Sequence, residues 1–185
     1  MSVIKKINKL SQSEFIKVFA NIFENTSWIA ENTYNNRPFK DFEDLSQIII
    51  NLFWNTTKAN QLTILRNHPD LADKTKIGSL TIDSKKEQSN AGLDQCSEKE
   101  FNEFKNLNDK YKKKFGFHFI YAVKGKEKKE ILSNFRQRSL NDINVEFIEA
   151  KKQVKIIASL RLNEINKKWK KFFLKMEWLI LLNQD

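Results

Sequence analysis

The chain is 185 residues long, 40% hydrophobic and 30% charged, which suits one domain with a real core and not a disordered segment. Four Gly and two Pro are too few for a fold of many short strands, and a single cysteine excludes an internal disulfide or a Cys-based zinc site. The net charge of +10 admits nucleic acid, an acidic membrane or an anionic small molecule as partner; with lysine spread along most of the chain, a solvated surface is its expected meaning.

Helical periodicity runs almost throughout. Ser11 and Glu14 form a capping box before Phe15, Val18, Phe19, Ile22 and Phe23, which share one face. A short helix carries Trp28 and Ile29, and Arg37-Pro38 breaks the chain. Asp41 opens a helix with Leu45, Ile48, Ile49, Leu52 and Phe53 inward, and the next, with Leu62 and Leu65, has to end near His68, because a residue before proline is pushed out of the α region. Beyond a polar loop, Ser84 and Glu87 read as a second capping box, for a helix through about Leu93. Ser97 and Glu100 read as a third, opening a long helix with Phe101, Phe104, Leu107, Tyr111 and Phe115 inward. Gly116 is placed to stop it in the left-handed conformation. Residues 117–123 are apolar and aromatic with no room for a full helix, so they form a buried extended connection. Helices over residues 126–138 and from about Asp142 follow, the last carrying Val145, Ile148, Val154, Ile157, Ala158 and Ile165. The expected fold is all-α, one domain of about eight helices with a Lys- and Trp-rich end.

The chain opens MSVIKKINKL, with charges but no apolar run behind them, and no apolar stretch is long enough to span a bilayer. A cytoplasmic setting is expected. Cys96, in a polar stretch between helices, reads as inert.

Few residues can carry chemistry. The two histidines, His68 and His118, both sit at breaks between helices, and histidine suits proton transfer near neutral pH. In His68-Pro69-Asp70 the proline fixes the backbone beside the imidazole, although a loop histidine is ordinarily solvated and idle. Ser84 and Glu87 fit a cap and its reciprocal carboxylate; a helix N-terminus with adjacent lysines is also a natural anion site. Arg161 either snorkels to solvent or reaches inward as a carboxylate fork. There is no dinucleotide fingerprint, P-loop, zinc-binding helix or serine elbow, and no metal is expected.

Several segments taken together resemble the OHCU (2-oxo-4-hydroxy-4-carboxy-5-ureidoimidazoline) decarboxylase family. They are Asn67-His68-Pro69-Asp70-Leu71-Ala72, Ser84-Lys85-Lys86-Glu87-Gln88-Ser89-Asn90-Ala91-Gly92-Leu93, Leu107-Asn108-Asp109-Lys110-Tyr111 and Lys114-Phe115-Gly116-Phe117-His118-Phe119-Ile120. Ile131-Leu132 with Phe135 and Arg138, Ile157-Ala158-Ser159-Leu160-Arg161-Leu162, and the earlier Ile22-Phe23-Glu24, Trp28-Ile29-Ala30 and Arg37-Pro38-Phe39 follow the same order and spacing. The chain departs from the family in carrying His118 where proline is usual; the resemblance implies a single compact bundle of about eight helices over residues 1–166, with residues 167–185 as a helical extension past the matching part.

The resemblance implies a cofactor-free decarboxylase, commonly dimeric, acting on a small ureidoimidazoline in urate degradation and releasing (S)-allantoin and carbon dioxide. His68 would be the acid/base, with Pro69 packed on its ring and Glu87 binding substrate donors and orienting or charging the imidazole. Ser84, Lys85, Lys86 and Gln88 would contact polar atoms of the substrate. Phe119, Ile120, Tyr121, Ala122 and Val123 would line the pocket, and Arg161 would pair with a carboxylate or carbonyl. A homodimer with no nucleic-acid or membrane partner is expected. The competing possibility is a basic binding module for nucleic acid or anionic membrane. Its best feature is the tail, where Trp169, Phe172, Phe173, Met176 and Ile180 share a face beside Lys167, Lys168, Lys170, Lys171 and Lys175; the expected role of that face is to extend the last helix and pack on the body or on a second subunit.

Overall fold

The computed structural model describes residues 2–73 and 80–182, with side chains to Phe172. Among these residues there are nine α-helices and no strand: α1 (Val3–Ile7), α2 (Gln12–Phe19), α3 (Trp28–Tyr34), α4 (Phe42–Asn55), α5 (Lys58–Asn67), α6 (Ile82–Asn90), α7 (Glu98–Phe115), α8 (Lys128–Arg138) and α9 (Ile143–Leu182). Eight of them have seven residues or more, the number that the periodicity predicts. The boundaries follow from local chemistry. Ser11 and Ser97 are completed capping boxes with Glu14 and Glu100, Asp41 accepts from the Asp44 N–H, and Gly116 closes α7 at φ 76°. His68 leaves α5 in an extended conformation (φ −70°, ψ 143°), as the following Pro69 requires.

The long α9 is the spine, against which α1, α4, α5 and α7 pack. Two aromatic clusters fill the core. Phe15, Phe19, Phe23 and Phe53 join the N-terminal helices, and Phe104, Tyr111, Phe119 and Phe135 join α7, α8 and residues 117–123. Phe119 stacks on Phe135 at 3.8 Å between centroids. Residues 117–123 have no regular structure, and Phe117, Phe119, Ile120 and Val123 are buried. None of the described helices is long and apolar enough to cross a membrane.

The expected start and end of α6 are corrected. The cap of α6 is Thr81, whose hydroxyl accepts from the Ser84 N–H. Ser84 and Glu87 therefore sit inside the helix, free to make other bonds, and the helix ends at Asn90 rather than Leu93. In α5 the buried apolar pair is Ile64 and Leu65, with Leu62 only half-buried. Val145 and Ile148 are about half exposed, at 53% and 51%. Glu146 takes the inward position, bonded to Tyr111, Arg138 and Asn141, and helical spacing then turns Val145 and Ile148 outward while Ala150, Gln153, Val154, Ile157, Ala158, Arg161 and Leu162 face in. Cys96 lies between helical elements, as expected, and its side chain is buried in the core.

Candidate active site

At the C-terminus of α5 the His68 side chain turns back into the body, 6% exposed. Its Nδ1 lies 2.9 Å from the carbonyl oxygen of Ile64, in the last turn of the same helix. A carbonyl can only accept, so Nδ1 carries the hydrogen and Nε2 presents its lone pair. Nε2 is buried and has no hydrogen-bond partner among the described residues. Burial pushes the imidazole down to about 4, helped by the positive charge of Arg161 and opposed by the Ile64 bond and Glu24. At neutral pH His68 is an uncharged base with a fixed tautomer.

Its orientation comes from Ile64, whereas Glu87 faces Arg161. The guanidinium donates from Nε and Nη2 to the two oxygens of Glu87, both at 2.9 Å. It donates from Nη1 to Glu24 at 3.1 Å and the Asn21 carbonyl at 3.0 Å, and from Nη2 to Ser84 Oγ at 3.1 Å. All five donors of Arg161 are engaged. Snorkelling is ruled out: the side chain is 5% exposed. Burial works against its charge, but Glu87 and Glu24 raise its pKa above the ordinary arginine value.

The pattern of single residues did not single out Glu24, and it is central. Its carboxylate is buried and accepts from Thr81 Oγ1 at 2.6 Å and Ser84 Oγ at 2.7 Å as well as from Arg161. Burial raises its pKa, and Thr81, Arg161 and Ser84 together outweigh that, so it stays ionised below the usual carboxylate range. The sequence signal was an acid directly following the apolar face of Ile22 and Phe23. Thr81 was missed because the Ser84–Glu87 spacing matches a capping box equally well.

The space beside the imidazole is a narrow chamber of about 30 Å³, with His68, Pro69, Ser84, Glu87, Gln88 and Arg161 in its wall. Phe119, Ile120, Tyr121 and Val123 line it too, so most of the expected site residues converge. It shares Glu87, Tyr121, Val123, Ile157 and Arg161 with an outer groove of about 290 Å³ that also holds Lys17, Lys86, Lys124 and Lys168. The Arg161–Glu87 ion pair thus stands between chamber and groove. Lys86 belongs to the groove, 4.0 Å from Glu164, and Ala122 lines the groove while its N–H donates to Gln153. Lys85 is exposed on another side of α6, near Leu93 and Asp94, and is not brought to the chamber. Gln88 braces the histidine loop, accepting from the Ala72 N–H at 3.0 Å and donating to the Asp70 carbonyl at 3.3 Å. That brace holds Ala72 at φ 57°, a region sparsely used by residues with a side chain.

Residues 8–163 match the family model described as OHCU decarboxylase. The chain belongs to the OHCU decarboxylase family. Among its relatives is the 2-oxo-4-hydroxy-4-carboxy-5-ureidoimidazoline decarboxylase of Halalkalicoccus jeotgali, 33% identical over 88% of this chain and 90% of that protein. The uric acid degradation bifunctional protein of Bacillus sp. (strain TB-90) is 39% identical over 89% of this chain, which spans 32% of that longer protein. The crystal structure of (S)-allantoin synthase superposes with a TM-score of 0.69 at 25% identity, covering 88% of this chain and 53% of that one. That of an OHCU decarboxylase in the presence of (S)-allantoin, at 22% identity and TM-score 0.65 over 85% of this chain and 99% of that one, shares the fold. The family match ends at residue 163, while α9 continues without a break to Leu182.

Proposed function

We propose that the protein decarboxylates 2-oxo-4-hydroxy-4-carboxy-5-ureidoimidazoline to (S)-allantoin in urate degradation, using His68 as its proton carrier and no cofactor. The observation that carries this is the bare, buried Nε2 of a neutral imidazole facing a chamber walled by Ser84, Glu87, Gln88 and Arg161. A neutral histidine acts first as a base: Nε2 takes the substrate's hydroxyl proton as the C–C bond to the carboxylate breaks. The electron pair of that bond passes into the ring's own imine, whose nitrogen takes up a proton from solvent; carbon dioxide leaves, and the imidazolium returns its proton to the ring carbon that becomes the stereocentre.

The chamber alone holds roughly the volume of one water molecule, so the substrate sits where chamber and groove meet. Because every donor of Arg161 is taken, a substrate carboxylate reaches it by replacing Glu87. Glu87 is the partner able to move: its side chain is 28% exposed, against 2% for Glu24. Once released, Glu87 accepts from the substrate's N–H groups. The groove's lysines suit an anionic substrate. A homodimer working in the cytoplasm, with neither nucleic acid nor membrane as partner, completes the proposal, as does the division of the chain into a catalytic body (1–166) and an extension (167–185).

The test is turnover of freshly generated substrate, followed by the optical activity of the allantoin formed. In His68→Asn the amide nitrogen can still donate to the Ile64 carbonyl but no base remains at the Nε2 position. Its rate is expected to fall ~10²–10⁴-fold, with a native circular dichroism spectrum and product drifting toward the racemate of the uncatalysed reaction. No turnover by wild-type protein sinks the assigned reaction; a folded His68→Asn with normal rate and selectivity sinks the role of His68.

A further inference from the structure

We propose that His118 is a positioning residue that, through Asp70, clamps the pocket wall of residues 117–123 to the loop carrying His68; this rests on the reaction proposed above. Asp70 stands two residues after His68, and its carboxylate is 3% exposed. One oxygen accepts from His118 Nδ1 at 2.7 Å and the other from Lys112 Nζ at 2.6 Å, on α7. Burial alone would raise the pKa of Asp70; the two donors outweigh it and hold it down at about 2, so the anchor is ionised at any working pH.

The two donors do different jobs. Lys112 comes from α7, which also holds the loop through Asn108, donating to the Leu71 carbonyl at 2.9 Å. It supplies Asp70 with a countercharge and has a second acid beside it, Asp109 at 3.6 Å. His118 comes from the segment 117–123, next to Phe119 and Ile120, which line the chamber. The His118–Asp70 bond therefore fixes the distance between the base and the surface against which the substrate lies. Its donor works in the neutral and the protonated imidazole alike, since Nδ1 carries hydrogen in both. His118 is 21% exposed, and its loss is expected to leave the fold standing and to loosen this one distance.

His118→Leu removes the donor, and His118→Gln carries its amide at the Nε2 position, one bond too far out. His118→Asn restores a donor where Nδ1 was. Displacing a reacting group by ~1 Å costs up to ~10²-fold, so a slackened wall is expected to lower kcat about tenfold, with KM changed less than about threefold. The enantiomeric excess of the product should fall with it, which a loss of stability alone would not cause. Lys112→Gln should leave selectivity intact. The sequence has two histidines, so an imidazole nitrogen spectrum holds two rings and reads His68 without any turnover. Its signal is expected to shift or broaden in His118→Leu and His118→Gln and to return in His118→Asn. An unchanged His68 signal in folded Leu and Gln variants overturns the clamp, as does His118→Asn behaving like His118→Leu, or Lys112→Gln losing selectivity as the Leu variant does. If wild-type protein does not turn over the ureidoimidazoline, the assigned reaction falls, and the His68 signal alone decides the clamp.

Discussion

His68 shows how backbone geometry sets the orientation and charge of one side chain. Proline at 69 ends α5, the ring folds back on the Ile64 carbonyl, and burial then strips the imidazole of its charge. The same burial has a thermodynamic signature. The folded-state pKa is about 4, against ~6.5 in the unfolded chain. Above the higher value His68 is neutral in both states and contributes no pH dependence. Between the two the unfolded chain binds the proton and the folded chain does not, so stability falls as pH drops across that window, by about 3 kcal/mol in all. Asp70 acts in the adjoining window: its depressed pKa contributes stability above about 3.8 that is lost as pH falls toward 2. Urea midpoints at pH 7, 5.5 and 4.5 should therefore fall more steeply in wild-type protein than in His68→Asn, while the two converge in slope below pH 4. Parallel curves from pH 7 to 4.5 would show that His68 is charged in the folded state.

Among the elements, residues 117–123 depend most on their neighbours, having no backbone ladder of their own. Arg138 of α8 holds them from outside the chamber. Its Nη1 donates to the Ile120 carbonyl at 2.8 Å, its guanidinium lies 4.6 Å from the Phe119 ring centre, and its remaining nitrogens grip Glu146 of α9. Tyr111 donates to the same carboxylate, and burial followed by that bond raises its hydroxyl pKa well above the ordinary tyrosine range. Arg138→Met leaves Glu146 as an uncompensated buried charge, for which roughly 3–5 kcal/mol of destabilisation is expected. Adding Glu146→Leu should recover most of it, a coupling that a double-mutant cycle by denaturant melts measures directly. A single variant costing under about 1 kcal/mol would mean that Tyr111 and Asn141 suffice. Elements of this kind mark the boundary of what was legible in the sequence. Capping boxes at Ser11 and Ser97, the stop at Gly116 and the break at Pro69 are local chemistry and could be read directly. The start of α6 could not: Thr81 and Ser84 both offer a capping hydroxyl, and only the distant partners Glu24 and Arg161, which draw Ser84 inward, decide between them. The face of α9 is likewise set by distant partners. Hydrophobicity pointed to Val145 and Ile148, but the buried acid Glu146, paired with Arg138, sets the rotation.

For the molecule as a whole, α9 is the element that exceeds what the body needs. Its 40 residues make a rod of about 60 Å at ~1.5 Å per residue, and the family match stops at residue 163. Ile165 and Trp169 still pack on the core, whereas Phe172 is 58% exposed. The side chains of Phe173, Lys175, Met176 and Ile180, which the sequence places along this stretch, lie beyond the described ones. Two truncations separate the roles of the rod. Ending the chain after Asn166 removes Trp169 and its core contact, so a loss of roughly 1–3 kcal/mol is expected, with turnover per folded site largely intact because His68, Glu87 and Arg161 all precede the cut. Ending it after Lys171 keeps Trp169, so the stability of the body should match the full chain. If the extension seats against a second copy, sedimentation should show both truncations losing a dimer that the full chain forms. A shortened chain with the sedimentation behaviour of the full one would leave Trp169 packing as the extension's contribution and place any subunit contact elsewhere. A shortened chain that loses salt-sensitive retention on DNA or anionic vesicles, with mass and turnover unchanged, would assign the lysines of the rod to a polyanion instead.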